Sequence, residues 1–221
     1  MIKHTDWQLA MRARALTLSV ATTGAISIEA TATGYIRATG SFLTDGLARG
    51  MEFTATGFGV SANNGVHVIK DVTALAIICS GTVVEAAAGG RTLTVGLPGL
   101  RAWENVRFEP DAARPYVVEQ YLPGPPPNLE TMGVNGWLVC EPMYALAIYA
   151  LKEVGLAGVS RYSDAVISHF APKTALTLAS GDVLRVRGDT GPFRGQLRQD
   201  WPGWAVVPVT IPFRIRTQNT L

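Results

Sequence analysis

Val207-Pro208-Val209-Thr210-Ile211-Pro212-Phe213-Arg214-Ile215-Arg216 is the stretch from which the rest of the chain can be placed. Val207, Val209, Ile211, Phe213 and Ile215 alternate with Pro208, Thr210, Pro212, Arg214 and Arg216, the two-residue period of a strand buried on one face. Proline carries no backbone N–H, and Pro208 and Pro212 put both gaps on the same lateral edge. That edge cannot carry a full ladder. The strand is therefore expected at a sheet border or at a site of incomplete pairing.

Upstream, Val183–Arg187 reads as another strand, and 188–204, with its Gly, Pro and charged residues, as a long hairpin loop joining the two. Arg185, Arg187, Arg194 and Arg198 give this hairpin a basic excess. A solvated loop with pairs inside the chain to Asp182, Asp189 and Asp200 is at least as good a reading as contact with an acidic neighbour or DNA phosphates. Trp201 and Trp204 could pack under the loop or against another subunit. Arg187-Gly188-Asp189 spells an adhesion tripeptide, but three common residues in a turn carry little weight.

Further back, Arg161 to Phe170 is a helix, with Ser160 to cap it, a stripe of Tyr162, Ala165, Val166, His169 and Phe170, and Pro172 to stop it. Met143 to Leu151 fits two patterns. Its Ala/Leu content, Pro142 and Gly155 favour a helix, and propensity leans that way. Tyr144, Leu146 and Ile148 alternating with Ala145, Ala147 and Tyr149 would suit a buried strand. Val106–Phe108 and Tyr116–Leu122 are expected strands, and the Pro-rich segment from Pro123 to Asn128 a stiff unpaired loop.

The first hundred residues have another texture. Thr5 to Ala15 reads as a helix burying Trp7, Met11 and Ala15, with Leu18 beyond, and Asp6 as its cap. From Leu16 to Val95 the chain is rich in Thr, Gly and β-branched residues. Ile26–Thr33, Met51–Thr56, Val66–Lys70, Leu75–Ser80 and Thr92–Val95 are expected strands, separated by Asp45-Gly46 and Asn63-Asn64-Gly65 turns. Such spacing suggests a small sandwich or barrel. Gly57-Phe58-Gly59 is followed by no helix pattern, so it reads as a turn and not a dinucleotide fingerprint. Leu97-Pro98-Gly99 is the natural boundary.

Composition narrows the function classes. Of 221 residues 48% are hydrophobic and 16% charged, with a net charge of +2. This describes a folded chain whose main work is not nucleic-acid binding. No apolar run approaches the ~20 residues of a membrane helix, and the start lacks a signal peptide's apolar core; a cytosolic origin is expected. Cys79 and Cys140 then read as buried small hydrophobes. His4, His67 and His169 lack metal-ligand spacing, with His169 expected as a hydrogen-bonded or half-exposed core residue. The carboxylate pairs Asp182/Asp189 and Glu104/Glu109 read as solvated charges. No catalytic residue, metal or cofactor is expected.

The order of these pieces resembles the tail terminator family of long-tailed bacteriophages. The likeness runs through the N-terminal helix, Trp103-Glu104-Asn105-Val106-Arg107-Phe108-Glu109-Pro110, Pro115-Tyr116, an apolar strand bearing tyrosine, helix 161–170, Val183–Arg187 and Trp204 with Pro208-Val209-Thr210-Ile211-Pro212. It covers Leu100 onward plus the helix, and rests on order and spacing. It implies an α+β fold, a mainly antiparallel sheet with helices on one face, with a small all-β domain inserted after the N-terminal helix. The expected segments are 1–15, 16–97 and 98–221. By the match Met143–Ala150 is a strand, although Leu151-Lys152-Glu153-Val154 stands where the family has a Pro/Gly turn. The family forms a homo-oligomeric ring of six copies that caps the tail tube, stops its polymerisation and joins it to the head–tail connector. DNA passes through the lumen without sequence-specific binding, no membrane is involved, and the expected location is the virion tail, assembled in the host cytoplasm. Subunit-border residues are expected among Arg185, Arg187, Asp189, Arg194, Arg198, Trp201, Trp204, Pro208 and Pro212. Rival readings are a connector-completion or tube protein with a decorating β-domain and, behind it, a glycan-binding module; an enzyme comes last.

Overall fold

The computed structural model describes residues 4–103, 107–126, 128–130, 136–199 and 202–218. Helix α1 (His4–Leu16) leads into a first sheet of β1 (Ala21–Thr22), β2 (Ile26–Thr31), β3 (Gly34–Ile36), β4 (Glu52–Thr56), β5 (Gly65–Val68), β6 (Asp71–Val72), β7 (Ala76–Ile78) and β8 (Glu85–Val95). Its order is β5-β4-β8-β2-β3-β7-β6, with β1 also on β8. The two end strands, β5 and β6, are separated in sequence only by Ile69-Lys70, a link that reaches about 11 Å at most. The sheet must therefore be rolled until its edges meet. Ile69 N–H donates to Met51 O (2.9 Å) on one side of the seam and Lys70 N–H to Ile78 O (2.8 Å) on the other. Register shifts between β2 and β8 at Ile26/Ile28 and Ile28/Ala30 supply the bend. Inside lie Ile28, Tyr35, Phe53, Ile77 and Leu93, all buried, with Tyr35 edge-on to Phe53 at 5.7 Å. Of the sandwich and the barrel that the spacing of the turns left open, the rolled sheet is the barrel.

The second sheet is built on the proline-bearing strand. Its strands are β9 (Leu100–Trp103), β10 (Tyr116–Leu122), β11 (Asn128–Leu129), β12 (Trp137–Cys140), β13 (Met143–Leu151), β14 (Ala175–Thr177), β15 (Val183–Val186), β16 (Phe193–Arg194) and β17 (Trp204–Gln218). On one edge β17 pairs with β13 and, past Pro142, with β12, and Phe213 N–H donates to Pro142 O between them at 2.8 Å. On the other edge lie the short β15 and β16. The prolines face that second edge, because Pro208 O accepts from Gly195 N–H (2.8 Å) and Pro212 O from Arg187 N–H (2.9 Å). Thus β17 is an interior strand and not a border. What the prolines dictate is the broken ladder on one side, carried by two short strands with a loop between them.

Val207, Val209, Ile211, Phe213 and Ile215 are buried as their alternation requires. They pack with Val117, Tyr144, Leu146 and Ile148 under α1 and α2 (Ala157–His169). Phe170 meets Phe213 and Tyr144 edge-on at 6.2 and 6.3 Å. Trp7, Met11 and Ala15 are buried beneath α1. Arg14 Nη2 donates to His169 O at 2.9 Å, and His169 Nε2 lies 2.8 Å from Arg14 O, so the two helix ends are tied. The two sheets also share contacts. Glu52 N–H donates to the Tyr162 hydroxyl of α2 (2.9 Å), and the Glu52 carboxylate receives Gly99 N–H (2.8 Å) and Arg114 Nη2 (2.7 Å).

The fold is α+β, mainly antiparallel, with both helices on one face of the second sheet. Met143–Leu151 is a strand because ladders to β10 and β17 satisfy both of its edges, which outweighs local propensity. Several expectations need correction. Helix α2 begins at Ala157, and Ser160 does not cap it; the Ser160 carbonyl instead accepts from Ser163 Oγ. The strand before Tyr116 is Leu100–Trp103, parallel to β10. Arg107 and Phe108 lie outside any strand, and Val106 lies outside the described residues. Ile26–Thr33 stops at Thr31, since Ala32-Thr33 turns the chain into Gly34. Asn128, expected unpaired, sits opposite Val139. The 188–204 segment is no free hairpin, because β16 and an Arg198–Val206 bridge lay it along β17.

Candidate functional site

With α1 and α2 on one side, the other face of the second sheet carries no helix among the described residues. Along β17 that face shows two characters. At the Trp204 end, Tyr116 stacks on Tyr149 (4.3 Å, 10°), Trp204 meets Tyr116 edge-on at 4.8 Å, and Phe108 lies 5.1 Å away. Burial among these rings pushes the Tyr116 hydroxyl up to about 12. Met143, Ala145, Ala147, Leu151 and Pro208 continue the face as half-buried apolar groups.

At the Arg216 end the face becomes a cationic cleft of about 560 Å³, lined by Trp137, Lys173, Arg185, Arg187, Arg214 and Arg216 among others. Register places Arg185 directly opposite Arg214. Glu130 sits on Arg214 (3.3 Å) and Arg216 (2.7 Å). Arg187 is shared between Glu141 (3.0 Å) and Asp189 (2.6 Å). Hydrogen bonds from Arg187 hold the Asp189 carboxyl well below the usual carboxylate range and raise the guanidinium in turn. Among the described residues Lys173 and Arg185 have no carboxylate within ion-pair distance.

The residues expected at a subunit border are thus divided. Arg185 and Arg187 line the cleft, and Asp189 braces Arg187 from outside. Arg194 turns the other way, to Asp164 of α2. Arg198 pairs by its backbone with Val206. Trp204 belongs to the aromatic end, Pro208 to the apolar middle, and Pro212 is buried near the cleft. Trp201 lies outside the described residues. Trp137 and Lys173 were not singled out from sequence; they join the cleft only through the β12–β17 pairing and the turn before β14.

Three further carboxylates are consumed structurally. Glu119 is buried beside Arg101 (2.9 Å), Arg12 (3.7 Å) and the Tyr144 hydroxyl. Burial raises that tyrosine well above its ordinary value. Glu52 ties the sheets, and Glu85 receives Gly59 N–H (2.8 Å), Val60 N–H (3.1 Å), Asn63 Nδ2 (2.8 Å) and Arg91. The hydrogen bonds to Glu85, Asn63 first, hold its carboxyl below the ordinary range. Cys79 and Cys140 are buried and unpaired, and burial pushes the Cys79 thiol up to about 11. Among the described residues no three His, Cys, Asp or Glu groups gather as a metal site, and no helix is long and apolar enough to cross a membrane.

No family model matches the sequence, and no curated protein matches it. One solved structure overlaps 54% of this chain and 79% of its own length at 19% identity, with a TM-score of 0.42. A likeness of that grade carries no argument about what the chain does.

Proposed function

We propose that this chain is a structural protein of a long-tailed bacteriophage virion, a tail terminator whose copies close into a ring on the tail tube, end its growth and receive the head–tail connector. The observation that supports this most is the helix-free sheet face, with its half-buried apolar row beside an edge that two prolines keep from full pairing. Sheets with one unpartnered apolar face commonly complete themselves against another chain. A closed ring needs heterologous contacts, one patch of each copy meeting a different patch of the next. The aromatic and cationic ends of this face are two such unlike patches. The order of sequence pieces from Leu100 onward adds the family. The copy number of six comes from the resemblance alone.

The direct experiment adds the purified protein to growing tail tubes. Capped tubes of arrested length, with rings at one end in electron micrographs, are the expected result. Tubes that lengthen instead would assign the chain to the tube, a reading favoured by one feature: the rolled first sheet stands where the family has only a short link. Unaltered tubes and no ring at any concentration would overturn both.

A further inference from the structure

We propose that the cationic cleft between β12, β15 and β17 is a binding site for an extended acidic peptide segment of a partner protein. The argument starts from a conflict of charge. Arg185 and Arg214 face each other across the β15–β17 ladder, and like charges directly opposite on a sheet repel. Glu130 and Glu141 offset Arg214 (3.3 and 3.9 Å), but neither of them reaches Arg185. Lys173 is exposed on the same rim, and its backbone is held at φ 72°, a conformation few side chains adopt. Among the described residues Lys173 and Arg185 are thus two unneutralised cations around a ready cavity, with Trp137 at its border 43% exposed.

The chemistry of the lining selects the ligand. Arginine forks match carboxylates in a bidentate way, and an indole offers an apolar resting place for a side chain between two acids. Nucleic acid fits less well. A duplex presents a charge every ~1.7 Å along its axis and wants a stripe of available cations; here three of the five lining cations, Arg187, Arg214 and Arg216, already hold Glu130, Glu141 or Asp189. A second copy of this chain also fits less well as donor. Of its exposed acids, Glu109, Asp164 and Asp189 are each paired with an arginine of their own chain, and Asp71, Asp111 and Glu153 stand singly in three separate segments and form no acidic run.

The test uses the full chain and fluorescence anisotropy. The probes are a dye-labelled decapeptide of alternating glutamate and leucine, its glutamine counterpart, and single-stranded and duplex decanucleotides. The acidic peptide is expected to bind, more weakly as salt rises, and the glutamine peptide not to bind. Replacing Lys173→Gln and Arg185→Gln together should weaken binding about tenfold, the scale of a lost charged hydrogen bond. Arg107→Gln, remote from the cleft, should leave it unchanged. The proposal is overturned if the acidic peptide fails to bind, if the double variant binds it equally well, or if an oligonucleotide binds more tightly. It is overturned as well if the double variant alters only self-association. Rings that form normally in the double variant leave the assembly reading intact whichever way the peptide result falls.

Discussion

The first sheet is rolled shut and the second is left open. In the first, a two-residue link joins the outermost strands, so no long edge remains and the aromatic side chains turn inward. In the second, among the described residues one face is covered by two helices and the other by none, and the central strand keeps one edge incomplete through Pro208 and Pro212. Closure is how a small sheet protects itself from stray pairing. An open apolar face is a common kind of docking surface. The contrast favours the second sheet as the place for the contacts proposed above, whereas the first has its long edges paired with one another.

The strongest way to break this contrast is to empty each interior in turn. Phe53→Ala in the rolled sheet and Phe213→Ala in the open one each remove a fully buried ring and should each cost about 3–5 kcal/mol. Because one continuous buried cluster joins both sheets, urea unfolding should remain a single transition in each variant. Two separated transitions would show that the sheets stand independently.

Tyr162→Phe sharpens the same point at the join. Losing the hydroxyl leaves Glu52 N–H without its acceptor, at a cost of about 1–3 kcal/mol, read as a lower urea midpoint. No change in that midpoint would mean that the junction relaxes around the loss.

Acid should find the rolled sheet first. The folded-state value of Glu85 lies below its unfolded one, so its contribution is fully present above the unfolded value of about 4.3. That contribution is lost as pH falls through the folded value. Glu85→Gln should flatten the stability profile in that acid window and leave the binding face unaltered, measured by thermal melts from neutral pH downward. The smallest effect belongs to the open sheet: Arg185→Gln relieves a repulsion and should move stability by no more than about 0.5 kcal/mol. Its signature is reduced affinity for acidic ligands instead.

Much of this architecture is written in local pattern. The alternation of 207–216 and the stripe of Trp7, Met11 and Ala15 mark buried faces because strand and helix periods are properties of the backbone. The proline spacing likewise announced an edge that could not pair in full. Met143–Leu151 shows where local pattern stops. Its Ala/Leu content argues for a helix, and the matter is decided by ladders with Tyr116–Leu122 and Trp204–Pro212, partners far away in the chain. The cleft lies wholly beyond local reading. Arg185, Arg214, Trp137 and Lys173 come from four separate segments, and only strand register makes them neighbours. Sequence alone therefore determined which face of each clearly periodic segment is buried and which backbone donors are missing, since those follow from each residue and its near neighbours. Tertiary structure alone decided that β17 is central, that the first sheet closes, and that cations converge, because each depends on which distant strands share hydrogen bonds.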